Sequence, residues 1–149
     1  MTPRGAGRIV GVMSEAAATR TERGSKVLLV LNDLFFEAKI GEVLRTLGVP
    51  FAIARSNEQF AKRLEEDDPA LAIVDLGARG IEPFLAIQYV RTDERWQRLP
   101  VVSFGAHVVR EQHEEARSLG VSEAVAKSKL DRFLPDIVRR HAPHLLTKK

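Results

Sequence analysis

The chain has 149 residues, 44% of them hydrophobic and 6% aromatic, enough for one compact core and too few for two comfortable ones. It has no cysteine, which excludes disulfides and thiolate metal sites and fits a reducing compartment. Its longest apolar runs, such as VLLVL at 27–31, fall far short of the roughly 20 residues of a membrane span, so a soluble, cytoplasmic protein is expected. The formal charge of +3 lies at the ends: +2 over 1–25 (four Arg, two Glu), +5 over 127–149 (seven Lys/Arg, two Asp) and −4 over the body between them. An acidic body is a poor match to nucleic-acid phosphate, and the basic ends offer at most weak, salt-sensitive binding to polyanions.

Residues 1–25 show no sustained hydrophobic period and read as a flexible leader, within which Met13 is an alternative start. Glu15 and Glu22 count against an organelle transit peptide. From residue 26 onward, short apolar runs alternate with amphipathic segments. KVLLVL (26–31), PFAIA (50–54), ALAIVD (70–75), PVVSF (100–104) and EAVA (123–126) are continuous rather than alternating, as in strands buried on both faces.

The segments between them carry helical spacing. Phe36, Ile40, Val43, Leu44 and Leu47 mark a first helix that Gly48 stops. Ser56 and Gln59 form a capping box before Phe60, Ala61 and Leu64, and EEDDP is a solvated helix end. Pro83 suits the first turn of a third helix with Phe84, Ile87 and Val90. Val109, Gln112, Ala116 and Leu119 give a fourth, ending at Gly120. Leu130, Phe133, Leu134, Ile137 and Val138 give a fifth. Because an interior proline costs about 3 kcal/mol, Pro135 suggests either that this last helix is kinked or, in preference, that it starts near Leu134 after a turn. Residues 142–149 read as a basic, frayed tail, and Tyr89 and Trp96 as packing residues.

Strict alternation of five strand–helix units predicts an α/β fold with a doubly wound, five-stranded parallel sheet and helices on both faces. In such sheets the site lies beyond the carboxyl ends of the strands, near the switch in strand order. That rule selects Asn32 and Asp33, Asp75, Gly105 and Ala106, and Lys127. Asp75 is either a cap of the turn that follows it or the reacting group of a pocket. Asp33 suits the N-cap of the first helix in either case, and Lys127 is either a pocket residue or an exposed charge. Two carboxylates and an ammonium at one sheet edge suit phosphoryl transfer onto a carboxylate. Asp75 would be the nucleophile, Asp33 would hold Mg²⁺ with Asp75 and the Gly77 carbonyl, and Lys127 would pair with the phosphoryl oxygens.

With VLND as the acidic strand end, AIVDL as the phosphoacceptor strand and AVAK as the lysine strand, residues 26–140 resemble the CheY-like receiver domains of two-component response regulators. The resemblance implies a flavodoxin-type (βα)5 domain over 26–141, with Asp75 as phosphoacceptor, weakly bound Mg²⁺, and a histidine kinase or other signalling protein as partner. It points to a divergent stand-alone branch, monomeric or weakly dimeric, acting through the side formed by the fourth and fifth helices, with no fused output domain. Three positions depart from the family pattern. Asn32 stands for one of two acidic residues, Gly105 for the phosphoryl-bonding Thr or Ser, and Ala124 for the switch aromatic; Ser103 lies two residues deeper on the face of Gly105. Ser128 replaces the proline expected after Lys127.

His107, His113, His141 and His144 lack metal-site spacing, and His107 and His113 read as exposed helix residues. A flavodoxin-like ligand-binding or enzyme domain would use the same edge but needs a phosphate-cradling loop, and NDLFF has no glycine and carries an acid.

Overall fold

The computed structural model describes residues 24–146; most of the expected leader, Met13, and residues 147–149 lie outside the described residues. Five strands, β1 (Val27–Val30), β2 (Phe51–Ala54), β3 (Leu71–Asp75), β4 (Val101–Gly105) and β5 (Glu123–Ala126), alternate with five helices. The helices are α1 (Leu34–Leu47), α2 (Asn57–Asp67), α3 (Pro83–Thr92), α4 (Arg110–Ser118) and α5 (Lys127–His141), followed by a 3-10 turn at Pro143–Leu146. The strands form one sheet in the order β2-β1-β3-β4-β5, and every pair is parallel. The α/β, doubly wound five-stranded architecture predicted from the alternation is the one observed.

The apolar runs are continuous because the central strands bury both faces. Val27 and Leu29 of β1, Ile73 of β3 and Phe104 of β4 pack with Phe36, Ile40 and Leu44 of α1 and Leu130, Leu134 and Ile137 of α5. Their neighbours Leu28, Val30, Ala72 and Val74 face the other way, onto Phe60 and Leu64 of α2, Ile87 and Val90 of α3, and Ala116 of α4. Each fully buried Leu, Ile or Val side chain contributes about 1.5–3 kcal/mol of transfer free energy, and the period of two along each strand divides that gain between two helical layers.

Helix ends follow the sequence signals closely. Gly48 ends α1 in the left-handed region at φ 75°, a conformation that glycine adopts without a Cβ penalty. Ser56 caps α2 by accepting the Gln59 N–H at 3.0 Å, and the Gln59 side-chain oxygen accepts the Arg55 N–H at 2.7 Å. The box thus closes one residue earlier than its usual form. Pro83 is the first residue of α3.

Three expectations are corrected. First, α5 runs unbroken from Lys127 through Pro135 to His141. Leu130, Leu134, Ile137 and Val138 fall on both sides of the proline and are fully buried, and that burial outweighs the lost hydrogen bond. Second, the stretch expected to fray is packed as far as residue 146. Ala142 and Leu145 join the core, and the Gly24 carbonyl bonds His144 Nε2 at 2.6 Å. Third, Tyr89 is exposed on α3, although Trp96 packs into the second core as expected. Among the described residues, no helix is long and apolar enough to cross a membrane.

Candidate functional site at the carboxyl edge of the sheet

The chain goes outward from β1 to β2 and then returns to place β3 on the other side of β1. This is the switch in strand order, and the two carboxylates singled out by sequence flank it. Asp75 is the last residue of β3, and Asp33 follows β1 as the N-cap of α1. Lys127 opens α5 directly after β5, and its flexible stem brings the ammonium back across the edge.

Asp33 binds with both carboxylate oxygens. Oδ1 accepts the Phe36 N–H at 3.1 Å, as an N-cap does, and Oδ2 accepts Lys127 Nζ at 3.2 Å. The Phe36 N–H, and after it Lys127, hold the Asp33 carboxyl below the ordinary carboxylate range. The Lys127 ammonium also lies 4.9 Å from the centre of the Phe36 ring, within cation–π range. That ring packs at 5.1 Å against Phe104, the register partner of Asp75. Helical spacing marks Phe36 only as a core residue; its second role needs the tertiary fold that brings Lys127 over it.

Asp75 is only 4% exposed. Its Oδ1 accepts the Gly77 N–H at 2.8 Å, so it caps its own turn and is a buried carboxylate as well. Burial pushes its pKa above the ordinary value; the Gly77 N–H and the Lys127 charge offset part of this, and the Asp33 charge adds to it. Gly77 is exposed, with its N–H toward the carboxylate.

Two of the three departing positions, Asn32 and Gly105, have structural identities of their own. Asn32 donates its side-chain amide to the Arg79 carbonyl and thereby ties the β3–α3 loop to the end of β1. A carboxylate has no hydrogen to donate, so an aspartate at 32 would place acceptor against acceptor. Beside Gly105, the space a Cβ would enter is bounded by Leu76 at 3.4 Å and by His113 Cε1 at 3.6 Å. His113 is therefore buried, contrary to expectation, and its Nε2 bonds the Ala106 carbonyl at 3.1 Å. The physical reason is non-local: the ring packs over a position at which the strand has no side chain. His107 is exposed, in the turn before α4 rather than on the helix. Ser103 is fully buried, its register partners Val74 and Ala124 lie one level below Asp75, and its Oγ has no hydrogen-bond partner.

Mg²⁺ takes oxygen ligands, usually one or two carboxylates with waters. The Asp33 and Asp75 carboxylates, the Asn32 amide oxygen and the Gly77 carbonyl supply donors of that kind at one edge, so the donor chemistry fits. Lys127 competes with a cation for Asp33 Oδ2. Among the described residues, no group of three or more His, Cys, Asp or Glu is arranged to hold a metal. The same edge is ill suited to cradle a free phosphate as a flavodoxin-like ligand site would, because the N-terminus of α1 is already capped by the carboxylate of Asp33.

No protein-family model matches the sequence, and no curated protein matches it. The fold is nevertheless shared with solved receiver domains. A putative response regulator from Chloroflexus aurantiacus is 21% identical with a TM-score of 0.73, over 79% of this chain and 97% of its own. The receiver domain of a sensor histidine kinase from Pseudomonas aeruginosa, solved with a magnesium ion in its active-site cleft, is 21% identical with a TM-score of 0.71, over 79% and 97%. A phosphorylated cyanobacterial phytochrome response regulator is 18% identical with a TM-score of 0.69, over 79% and 94%. The chain has the fold of response-regulator receiver domains.

Proposed function

Starting from that fold, we propose that the chain is a receiver-like signalling module of the phosphorelay type, with Asp75 as its phosphoacceptor. The observation that carries the reading is the convergence of Asp75, Asp33 and Lys127 on one edge, with Asp75 buried and the other two joined at 3.2 Å. A buried carboxylate beside an ammonium is a suitable acceptor. One Asp75 oxygen attacks the phosphorus of a phosphodonor, the bond from phosphorus to the leaving group breaks, and an acyl phosphate forms on the side chain.

Each residue has a part that its own chemistry allows. The Gly77 N–H orients the Asp75 carboxylate by holding Oδ1, which leaves Oδ2 for attack. Lys127 leaves Asp33 Oδ2 and pairs with the new phosphoryl oxygens, taking the Phe36 ring as its pivot. Asp33 and Asp75, with the Gly77 carbonyl, would hold Mg²⁺, which supplies charge neutralisation for the incoming phosphoryl group. With Asn32 in place of a second acid near Asp33, that binding is weak. Gly105 and Ala124 lack the hydroxyl and ring that would report phosphorylation, so phosphorylation here is uncoupled from the usual switch.

Output passes by protein contact through the side of α4 and α5, where Val108, in the turn before α4, is 81% and Phe133 of α5 39% exposed. A histidine kinase or another signalling protein is the partner class.

The test is an amide-resonance titration with Mg²⁺ and a non-transferable phosphoryl mimic. Shifts clustered at residues 33, 75–77 and 127, lost in Asp75→Ala, are expected; unchanged resonances at those positions would refute the site.

A further inference from the structure

The chain has two asparagines, Asn32 and Asn57, and both donate their side-chain amide to the backbone of the same loop. That loop, residues 76–82, leads from Asp75 at the end of β3 to the start of α3 and carries Gly77. Asn32, beyond the end of β1, donates to the Arg79 carbonyl. Asn57, the first residue of α2, donates Nδ2 to the Glu82 carbonyl at 2.9 Å and accepts the Glu82 N–H on Oδ1 at 2.8 Å. The reciprocal pair fixes which end of the Asn57 amide meets which backbone group.

Neither carbonyl needs a protein partner. Arg79 and Glu82 are exposed, and water satisfies an exposed carbonyl as well as an amide does. What the asparagines add is a fixed position for the backbone. The apolar side of the loop is held separately: Leu76 and Ile81 are buried in the second core, and the Leu76 N–H bonds the Phe104 carbonyl at 2.8 Å. Between those anchors lie Gly77 and Gly80, both exposed, with Gly80 in the left-handed region at φ 78°. A stretch with two glycines has more backbone freedom to lose than any other, and the two amides restrain it from opposite ends.

This stretch orients Asp75. The Gly77 N–H, 2.8 Å from Oδ1, is the one hydrogen bond that the Asp75 carboxylate receives among the described residues. We propose that Asn32 and Asn57 are positioning residues: by clamping the β3–α3 loop they keep the Gly77 N–H on Oδ1 and so leave Oδ2 presented for attack. The proposal rests on the reading of Asp75 as the reacting group and extends it to two residues that do not bond Asp75 themselves. Asn32 is then a loop clamp in its own right, and an acid at that position would supply a metal ligand while losing the clamp.

The test follows the Gly77 amide of the full chain by NMR, at fixed pH and without Mg²⁺ or phosphodonor. Asp75→Ala, which removes the acceptor, marks the exchange rate of an unbonded Gly77 N–H. In Asn32→Ala and in Asn57→Ala, Gly77 is expected to exchange with solvent about three- to tenfold faster than in the parent, moving toward that limit, while amides of β1 and β4 keep their parent positions. Asn57→Ala is the sharper case, because it changes a residue on α2 and reads out at Gly77. With a small acyl phosphate and Mg²⁺, both variants should lose saturating rate of phosphoryl uptake and keep the parent KM for the donor, as misorientation of the acceptor demands. Parent-like exchange at Gly77 in both variants would overturn the proposal, even with a lowered melting temperature, since that is what two merely structural bonds would give. A parent chain that takes up no phosphoryl group, with Gly77 responding as expected, would refute the phosphoacceptor reading and leave the clamp standing.

Discussion

Lys127 donates to Asp33 at 3.2 Å, joining the residue after the outermost strand, β5, to the residue that caps α1 beside the switch point. The ammonium thus occupies an oxygen that a metal would use. Replacing it should free Asp33: Lys127→Ala is expected to bind Mg²⁺ about two- to fivefold more tightly, the range of an exposed ion pair, while losing the cation that holds a phosphoryl group. Calorimetric titration with Mg²⁺ checks the first effect. Equal or weaker affinity would show that Lys127 and the metal do not compete.

Asp75 should make stability depend on pH in a particular sense. Burial raises its pKa above the ordinary 3.8, so the folded protein binds this proton more readily than the unfolded chain. The associated stability is full below 3.8 and is lost as pH rises through the raised value. Asp75→Asn fixes an uncharged side chain that can still accept the Gly77 N–H. Its melting temperature should therefore lie above the parent's at pH 7, with the difference shrinking toward pH 3. Asp33, whose pKa is depressed, contributes in the opposite sense: stability present above its ordinary pKa and lost as pH falls. It is common to both proteins and largely cancels in the comparison. A pH-independent difference would contradict the burial argument.

Gly105 can take a side chain. A Cβ there meets Leu76 at 3.4 Å and His113 at 3.6 Å, ordinary contact distances, so Gly105→Ser should change stability by no more than about 1 kcal/mol. The restored hydroxyl adds one hydrogen bond to a phosphoryl group, and the modified form should persist about two- to tenfold longer. Its lifetime, followed by mass, reads this directly; no change would mean that position 105 does not face the phosphoryl group.

Pro135 sits inside α5 and should be a removable cost. Pro135→Ala restores a hydrogen bond and removes a clash, worth about 3 kcal/mol, less about 1 kcal/mol for the freer unfolded chain. A net gain of about 2 kcal/mol is expected in denaturant melts. Loss of stability would show that the ring itself packs.

The fold was legible because its signals are local: continuous apolar runs mark strands buried on both faces, and Ser56, Gly48 and Pro83 mark helix ends. The candidate edge was legible through topology, since alternation fixes which residues follow each strand. Other features depend on distant neighbours. His113 is buried because Gly105 leaves it room, and Asn32 reads as a missing acid until its bond to the Arg79 carbonyl is seen. The proline signal in α5 is overridden by apolar residues on both sides of it, and Phe36 reads as core until Lys127 arrives from 91 positions along the chain to lie over its ring.

Phosphoryl acceptance at Asp75 is the step on which the proposed function depends. Incubating the chain with a small acyl phosphate and Mg²⁺, and reading intact mass against time and pH, tests it most directly. One added phosphoryl group is expected, absent in Asp75→Asn, formed more slowly as pH falls toward the raised Asp75 pKa. A chain that gains no mass, or gains it equally in Asp75→Asn, would contradict the account.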